Sequence, residues 1–239
     1  MKSTLFNFQQ FSILQSKSAM KVGTDGVLLG AWTHVSSTDT NLLDIGTGTG
    51  LIALMLAQRF PNLKIDAIEL DKDTAQEAEY NFSQSQWSNR LNCEAVSLQV
   101  YNRDTVKKYN HIVCNPPFFQ EGYPIAEQRR NQARNNAFLT YETLFYSAHS
   151  LLKNNGSISL VIPISEVNSV AEIAEKHGFF PLRITQVKGT FTSEIKRLLL
   201  TYSKQQNTVQ TDLLVLEKAR HQRTEAHQAL VADFYLNKF

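Results

Sequence analysis

The stretch that decides the fold is Asn41-Leu42-Leu43-Asp44-Ile45-Gly46-Thr47-Gly48-Thr49-Gly50, followed by Leu51-Ile52-Ala53-Leu54-Met55-Leu56-Ala57-Gln58-Arg59. The apolar start predicts a strand over 41–45, and the apolar continuation predicts a helix over 51–59. Three alternate glycines between them let the backbone turn sharply and pass close to a ligand. This order of elements is typical of a doubly wound α/β fold.

The glycine spacing bears on which ligand the turn binds. Turns that hold NAD or FAD have the fingerprint G-x-G-x-x-G, with pyrophosphate at the helix N-terminus. Here the pattern is G-x-G-x-G, and Asp44 lies two positions before the first glycine. A carboxylate there repels a pyrophosphate and attracts an ammonium or sulfonium group. The alternative is a glycine turn with an ordinary helix cap and no ligand.

Further strands are predicted along the chain, at 64–68, 91–96, 112–114, 157–162, 180–188 and 197–202. With the first strand they predict one doubly wound, mostly parallel, seven-stranded α/β sheet. Ligands of such sheets lie at the carboxyl ends of the strands. We therefore expect Gly46, Glu69, Ser97 and Asn115 to line one rim. Glu69 follows the glycine turn by about 20 residues, where a ribose diol is usually held.

The tetrapeptide Asn115-Pro116-Pro117-Phe118 interrupts the apolar run that ends at Cys114. Its two prolines fix two φ angles and remove two N–H donors, so the strand must end with free carbonyl groups. The oxygens of the Asn115 side chain and the Pro116 backbone can both accept from one planar –NH2 group, and Phe118 offers a face for its ring. The alternative is a tight turn with Phe118 in the core.

The segment 20–32 reads as a loop followed by a short apolar helix, with Thr24 or Asp25 as its N-cap. Lys21 and Gly23 precede the cap. A helix N-terminus beside a lysine is a suitable site for a carboxylate. A capped helix packed on the sheet is the simpler interpretation.

The composition is that of an ordinary globular protein, with 42% hydrophobic and 19% charged residues and a net charge of +2. No apolar run is long enough for a membrane span, and the first residues lack the apolar core of a signal peptide, so we expect a cytoplasmic protein. Cys93 and Cys114 lie in apolar runs, which favours buried reduced thiols. The six histidines show no metal-ligand spacing, so no metal is predicted.

Two basic loops are predicted near the rim. The first, 119–136, contains Arg129, Arg130 and Arg134, and the second combines Lys188, Lys196 and Arg197 with the Gly189–Ser193 turn. Arginine and lysine beside a base-binding pocket suit phosphate groups. Solvated loops without a ligand are the alternative.

The sequence resembles the class I S-adenosylmethionine-dependent methyltransferases. The resemblance implies that the Asp44–Gly50 loop binds the methionine moiety and that Glu69 binds the ribose. Many relatives have an acidic residue where this chain has Ser97, which accepts the adenine amine less strongly. The predicted cofactor-binding residues are Lys21, Gly23, Thr24, Asp44, Gly46, Thr47, Gly48, Gly50, Glu69, Leu70, Ser97 and Asn115.

The wider pattern resembles the bacterial tRNA-valine adenine-N6 methyltransferase family. The resemblance rests on Phe8–Phe11, Met20–Trp32, the cofactor loop, Asn115–Phe119 and Asp233–Leu236. It implies tRNA as the partner, methylation of the adenosine immediately 3′ of the anticodon, and Asn115, Pro116, Pro117 and Phe118 as the catalytic residues. Many relatives carry tyrosine where this chain has Phe118, so stacking remains while a phenolic hydroxyl is excluded.

Three other functions stay open on the sequence: methylation of a glutamine side chain in a release factor, amino-methylation of another RNA base, and a non-catalytic RNA-binding module. Release-factor enzymes usually carry an extra N-terminal helical domain, for which this N-terminus is too short. We expect a single domain over 1–239, with an N-terminal arm and helix (1–36) over the cofactor site, a core (41–203) and a C-terminal strand and helix (204–239). No obligate protein partner is evident.

Overall fold

A computed structural model describes residues 4–18, 20–117 and 139–236. The strands are β1 (Leu5–Asn7), β2 (Ser12–Leu14), β3 (Asn41–Ile45), β4 (Lys64–Glu69), β5 (Leu91–Ala95), β6 (Tyr109–Cys114), β7 (Leu152–Pro163), β8 (Phe180–Thr190), β9 (Ile195–Ser203), β10 (Gln210–Ala219) and β11 (Gln222–Arg223). The α-helices are α1 (Thr24–Trp32), α2 (Leu51–Arg59), α3 (Lys72–Ser83), α4 (Leu98–Asp104), α5 (Tyr141–Leu151), α6 (Val167–Lys176) and α7 (Glu225–Val231). The predicted site residues Phe118, Arg129, Arg130 and Arg134 lie outside the described residues.

Nine strands of the described chain form one sheet in the order β11-β10-β8-β9-β7-β6-β3-β4-β5. The sheet is mostly parallel, so the predicted α/β class is confirmed; β9 runs antiparallel to both of its neighbours. The predicted count of seven strands was too low. The chain after β9 adds β10, which pairs in parallel with β8, and β11, which pairs with β10.

The strand order reverses between β3 and β6. From β3 the chain winds outward through β4 to β5, and it then returns to place β6 on the other side of β3. Ile45 pairs with Cys114 in the register of these two strands. The residues that follow, Gly46 and Asn115, therefore leave neighbouring strand ends at the point where ligands bind in open α/β sheets.

Each face of the sheet carries its own apolar core. Leu43 and Ile45 of β3 pack into the core that includes α4, α5 and α6, whereas Leu42 packs into the core that includes α1 and α2. This division follows from the alternation of side chains along a strand. Cys114 is buried and Cys93 half-buried, and both are free thiols as predicted.

The sequence Asn154-Asn155-Gly156 predicts a left-handed cap at the end of the preceding helix. This prediction is wrong, because α5 ends at Leu151 and β7 begins at the next residue. Gly156 is not among the glycines with positive φ. Its role is steric, because a Cβ atom there would lie 2.9 Å from Leu152 Cδ2 and 3.1 Å from the Asn110 carbonyl oxygen. Gly178, at φ +74°, follows the end of α6 in left-handed backbone.

The two ends of the chain pack against each other. The arm predicted at the N-terminus is an antiparallel hairpin of β1 and β2, and its loop residue Gln9 donates its backbone N–H to the Phe234 carbonyl oxygen at 2.8 Å. The rings of Phe8 and Tyr235 lie 5.8 Å apart between centroids. The Phe8–Phe11 and Asp233–Leu236 motifs therefore contact each other in the folded protein. No helix of the described residues is long and apolar enough to span a bilayer.

We predict that Thr185→Val lowers the free energy of unfolding by about 1–2 kcal/mol, because it leaves a buried indole N–H without an acceptor. Trp32 Nε1 donates to Thr185 Oγ1 at 2.8 Å and joins α1 to β8. Both side chains are buried, and valine keeps the volume of threonine. Urea unfolding measures the change. Thr211→Val, at an exposed position of β10, is the matched control, and equal stability of the two variants would contradict the prediction.

Candidate active site

A cleft of about 960 Å³ opens at the carboxyl ends of β3, β4 and β6. The predicted site residues that line it are Lys21, Gly23, Thr24, Gly46, Thr47, Gly48, Glu69, Leu70, Ser97, Asn115, Pro117 and Arg197. Asp44 and Pro116 are buried, and neither they nor Gly50 lines the cleft. Lys188 and Lys196 lie near the tip of the β8–β9 hairpin and do not line the cleft. One cavity therefore gathers predicted residues from six separate parts of the sequence.

The glycine turn has left-handed backbone at all three glycines. The φ angles are +68° at Gly46, +57° at Gly48 and +83° at Gly50, a region that favours glycine. Gly46 and Gly48 leave room on the cleft side, since a Cβ atom at either would meet no heavy atom within 3.7 Å. Gly50 instead caps α2, and a Cβ there would lie 2.4 Å from Phe82 Cε1. Two glycines thus shape the cleft floor, and the third packs behind it.

Asp44 is 1% exposed directly beneath this turn. Its Oδ2 accepts a hydrogen bond from Thr47 Oγ1 at 2.7 Å, while its buried Oδ1 accepts no hydrogen bond of normal geometry from the described residues. Burial raises the pKa of Asp44 to about 7, and the Thr47 hydrogen bond opposes that rise only in part. A cation in the cleft would favour the ionised carboxylate.

Glu69 ends β4 with its carboxylate at the rim. Its Oε2 accepts from the Gly48 N–H and its Oε1 from the Asp71 N–H, each at 3.0 Å. These two bonds fix the side chain, and each carboxylate oxygen keeps lone-pair capacity for a further donor. The arrangement suits two hydroxyl groups on neighbouring carbon atoms. Asp71 is the N-cap of α3, and its side chain accepts from the Thr74 N–H at 2.8 Å.

Ser97 lines the cleft as the N-cap of α4. Its Oγ accepts from the Val100 N–H at 3.3 Å, so the hydroxyl is already used by the helix. A hydroxyl oxygen has a second lone pair and one proton to donate. The position is thus both a structural cap and a polar group at the cleft wall.

Asn115 leaves β6 beside the glycine turn and is half-buried. Its Nδ2 lies 3.9 Å from Met20 Sδ, and its Oδ1 is buried with no hydrogen-bond partner among the described residues. Rotation about χ2 by 180° exchanges the two ends of the carboxamide. An unsatisfied buried acceptor costs about 1–3 kcal/mol. The rotation would move Oδ1 to the present position of Nδ2, beside Met20 of the cleft lining, where a donor in the cleft can reach it. Pro116 is buried and Pro117 is exposed. Neither has a backbone N–H group, so neither can donate a hydrogen bond to a neighbouring strand.

The first turn of α1 closes the cleft on the other side. Neither of the two residues expected to cap this helix does so; the N-cap is Gly23, in extended backbone with no side-chain hydrogen bond. Asp25 is free of the capping role because its Oδ2 accepts from Arg197 Nε at 3.0 Å. The first turn of α1, whose backbone N–H groups have no partner within the helix, therefore lines the cleft. Lys21 lines the cleft as well.

Two residues that position the cleft wall, Glu77 and Asn81, were not predicted from the sequence. The Glu77 carboxylate accepts from the backbone N–H groups of residues 16, 17 and 18 and from the Ser16 hydroxyl. Burial alone would raise the pKa of Glu77, but these hydrogen bonds outweigh it and hold the pKa below its usual value. Asn81 exchanges two hydrogen bonds with the backbone of Leu14. Together they fix the segment that brings Lys17 and Ser18 to the cleft. Glu77 and Asn81 lie four positions apart and therefore on one face of α3, and this spacing was the pattern in the sequence that could have indicated them.

Comparisons with known proteins identify the family that the chain resembles. The family model described as the methyltransferase small domain matches residues 16–175. The tRNA1(Val) (adenine(37)-N6)-methyltransferase of Flavobacterium psychrophilum is 45% identical over 232 residues, which cover 97% of this chain and 99% of that protein. The protein of the same name from Christiangramia forsetii is 44% identical over 238 residues, 99% of each chain.

A solved structure supports the fold. The crystal structure of a predicted O-methyltransferase from Agrobacterium tumefaciens superposes with a TM-score of 0.68 at 17% identity, covering 88% of this chain and 96% of that one. The fold and the cleft define an enzyme of the S-adenosylmethionine-dependent class I methyltransferases. The chain belongs, within this class, to the tRNA1(Val) (adenine(37)-N6)-methyltransferase family.

The residues of the cleft fit S-adenosylmethionine. The turn at Gly46 and Gly48 leaves space for a ligand against the backbone, and the incompletely bonded carboxylate of Asp44 lies beneath it. Glu69 retains acceptor capacity for a diol, and the N-terminus of α1 with Lys21 suits a carboxylate. No group of three or more potential metal ligands occurs among the described residues. The predicted absence of a metal stays a prediction.

Proposed function

We propose that the protein methylates the exocyclic N6 amine of adenosine 37, the base immediately 3′ of the anticodon, in a valine tRNA. The relatives above carry that activity in their names and align over nearly the whole chain. The observation that carries the proposal is the placement of Asn115 directly beside Gly46, on neighbouring strand ends. An amine acceptor and a cofactor turn thereby share one cleft.

S-adenosylmethionine supplies an electrophilic methyl group on a sulfonium sulfur. The adenine amine is a poor nucleophile because its lone pair is delocalised into the ring. We propose that the Asn115 side-chain oxygen and the Pro116 carbonyl oxygen accept the two N–H groups, which orients the nitrogen and returns electron density to it. No base of ordinary pKa is needed, since the amine proton becomes acidic only after the methyl group is attached.

The target base stacks in an RNA loop and must be everted to reach Asn115. We propose that Phe118, which lies outside the described residues, supports the everted ring by stacking. Arg129, Arg130 and Arg134, also outside them, are proposed phosphate contacts. We propose further that residues 1–239 act as one domain in the cytoplasm, without an obligate protein partner.

Transfer of radiolabelled methyl from the cofactor tests the proposal. We expect label in bulk tRNA from cells that lack this modification and none in release factor. Label in release factor alone would replace the proposal by protein-glutamine methylation, and label in another RNA base would replace the target. Cofactor binding without transfer to either substrate would favour a non-catalytic RNA-binding module.

The β8–β9 hairpin is the described part of the proposed RNA surface. Lys196 is exposed and Lys188 half-buried near its tip, and the cleft-lining Arg197 pairs with Asp25. The hairpin thus continues the wall of the cleft with positive charge. Such a surface binds RNA chiefly through phosphate contacts.

We predict that the double change Lys188→Ala and Lys196→Ala weakens tRNA binding and lowers the slope of log K against log salt by about 1–2, because each lost phosphate contact releases roughly one counterion fewer. Titrations at several salt concentrations measure both. The control is Lys107→Ala with Lys176→Ala, which removes two exposed lysines from other surfaces. An unchanged slope in the hairpin variant would show that RNA binds elsewhere.

A further inference from the structure

A second cavity of about 250 Å³ adjoins the first cleft. Thr24, at the start of α1, lines both cavities, and Val27 and Leu28 form an apolar wall of the second. Its volume is below the roughly 300–1,000 Å³ typical of sites for larger ligands, so it suits a single ring system. Nothing in the proposed methyl transfer uses it.

Two groups of opposite charge line this cavity. Glu217 of β10 and Arg223 of β11 stand opposite each other in the antiparallel register. Arg223 Cζ lies 4.5 Å from the centroid of the Tyr235 ring, so the guanidinium group is stacked on that ring. The cavity therefore offers an acceptor and a donor side by side, with an aromatic surface next to them. A bare phosphate would be repelled by Glu217, whereas a polar ring would find partners for both kinds of edge atom.

His227 adds a neutral polar group. The side chain is 8% exposed, and its Nδ1 lies 3.0 Å from the Leu216 carbonyl oxygen. Burial lowers the pKa of His227, so the imidazole is neutral near pH 7. Its Nδ1–H donates to the carbonyl group, which leaves Nε2 as an acceptor.

The remaining wall is the turn of the β8–β9 hairpin, which contributes Gly189 and Thr190. The turn is fixed locally, because the Thr190 N–H donates to Ser193 Oγ at 2.9 Å and the Ser193 N–H donates to the Thr190 carbonyl oxygen at 3.2 Å. Phe191 at its tip is 63% exposed. A fixed wall bordered by an exposed aromatic ring and two lysines is suited to a nucleotide.

We propose that this second cavity binds a nucleobase adjoining the methylated adenosine, with Glu217 accepting a hydrogen bond from the exocyclic amine of that base. The inference rests on the proposed function and adds a specificity-determining residue to it. Because Thr24 lines both cavities, the second cavity lies next to the cleft, where a base adjoining the methylated adenosine can reach it. A carboxylate selects bases that present an amine and rejects those that present only acceptors.

The test compares Glu217→Ala with Glu225→Ala. The second is a matched control, since Glu225 lies on α7 outside the cavity with its side chain 90% exposed. Valine tRNA is prepared with the natural sequence and with each base beside adenosine 37 replaced in turn by an analogue that lacks its exocyclic amine, or by an abasic residue. The kcat and KM are measured for every pair of enzyme and RNA, and thermal unfolding checks that both variants fold.

We expect one amine deletion to lower kcat/KM of the wild-type enzyme about tenfold, mainly through KM. Glu217→Ala, which removes the acceptor, should lower kcat/KM about tenfold with natural tRNA. With the amine-deleted tRNA the further loss should be less than about twofold, because both changes remove the same hydrogen bond. Equal behaviour of the two variants on every RNA, or fully additive losses, would overturn the inference while leaving the proposed function intact. Failure of the wild-type enzyme to methylate natural valine tRNA would overturn both.

Discussion

Asn115→Ala is expected to lower kcat about 10²- to 10³-fold while the dissociation constant of S-adenosylmethionine changes by less than about threefold. The variant removes one of the two oxygens that we propose to hold the amine, and no other described side chain is placed to replace it. Asn115 follows β6, whereas the turn and the carboxylates that we assign to the cofactor belong to β3 and β4. Turnover and cofactor affinity should therefore separate.

Single-turnover methyl transfer and calorimetric titration of the cofactor measure the two effects. Asn155→Ala, at an exposed position of β7, is the control and should retain both activities. Asn115→Asp keeps an acceptor oxygen and should lose less turnover than the alanine variant. Equal losses in kcat and cofactor affinity for Asn115→Ala would contradict the assignment of this side chain to the target amine.

Asp44→Asn is expected to weaken cofactor binding about 10²-fold at pH 8, since it removes a buried negative charge beneath a site for a cation. The asparagine oxygen can still accept the Thr47 hydrogen bond, so the turn keeps its shape. Asp212→Asn, on the exposed side of β10, controls for the change of charge. Equal affinity of Asp44→Asn and the wild-type enzyme at pH 8 would contradict the role given to Asp44.

The same carboxylate makes cofactor binding depend on pH. Its pKa is raised from 3.8 to about 7 in the free protein, and a cationic ligand requires the ionised form. The affinity should be constant well above pH 7 and should fall by up to about tenfold per pH unit below it. Asp44→Asn should remove this dependence. Titrations between pH 5.5 and about pH 8.5 test it.

The raised pKa of Asp44 also determines how the free energy of unfolding changes with pH. A carboxyl group that is easier to protonate when folded stabilises the fold below its unfolded pKa of 3.8, and this stabilisation is lost as pH rises through about 7. Asp44→Asn should therefore be at least as stable as the wild-type enzyme at pH 8. Loss of cofactor affinity in that variant is then not a sign of unfolding.

The core of the fold was predictable because its signals are local. The apolar runs of β3 and α2, with glycines between them, defined the first strand, turn and helix within a residue of their bounds. The full width of the sheet, nine strands, was not predictable. β10 joins the sheet by pairing with β8, and the sequence of β10 does not indicate this partner. The contact of Phe8 with Tyr235 likewise joins motifs from opposite ends of the chain.

The site was predictable where strand ends carry unusual residues. Gly46 and Asn115 each follow a strand and Glu69 ends one, and parallel topology brings the three to one edge. Glu77 was missed because a glutamate on a helix is normally solvated, whereas here it is 4% exposed and accepts hydrogen bonds from the arm. The cap of α1 was mistaken because Asp25 pairs instead with Arg197, a partner 172 residues away in sequence.

The proposed methyl transfer is tested most directly by locating the methyl group in valine tRNA that has been incubated, unmodified, with the enzyme and S-adenosylmethionine. Nuclease digestion and mass spectrometry identify the nucleoside and the atom that carries it. We expect N6-methyladenosine at position 37 and no product when that adenosine lacks its exocyclic amine. A methyl group on a ring nitrogen, on ribose or at another nucleotide would contradict the proposed methyl transfer.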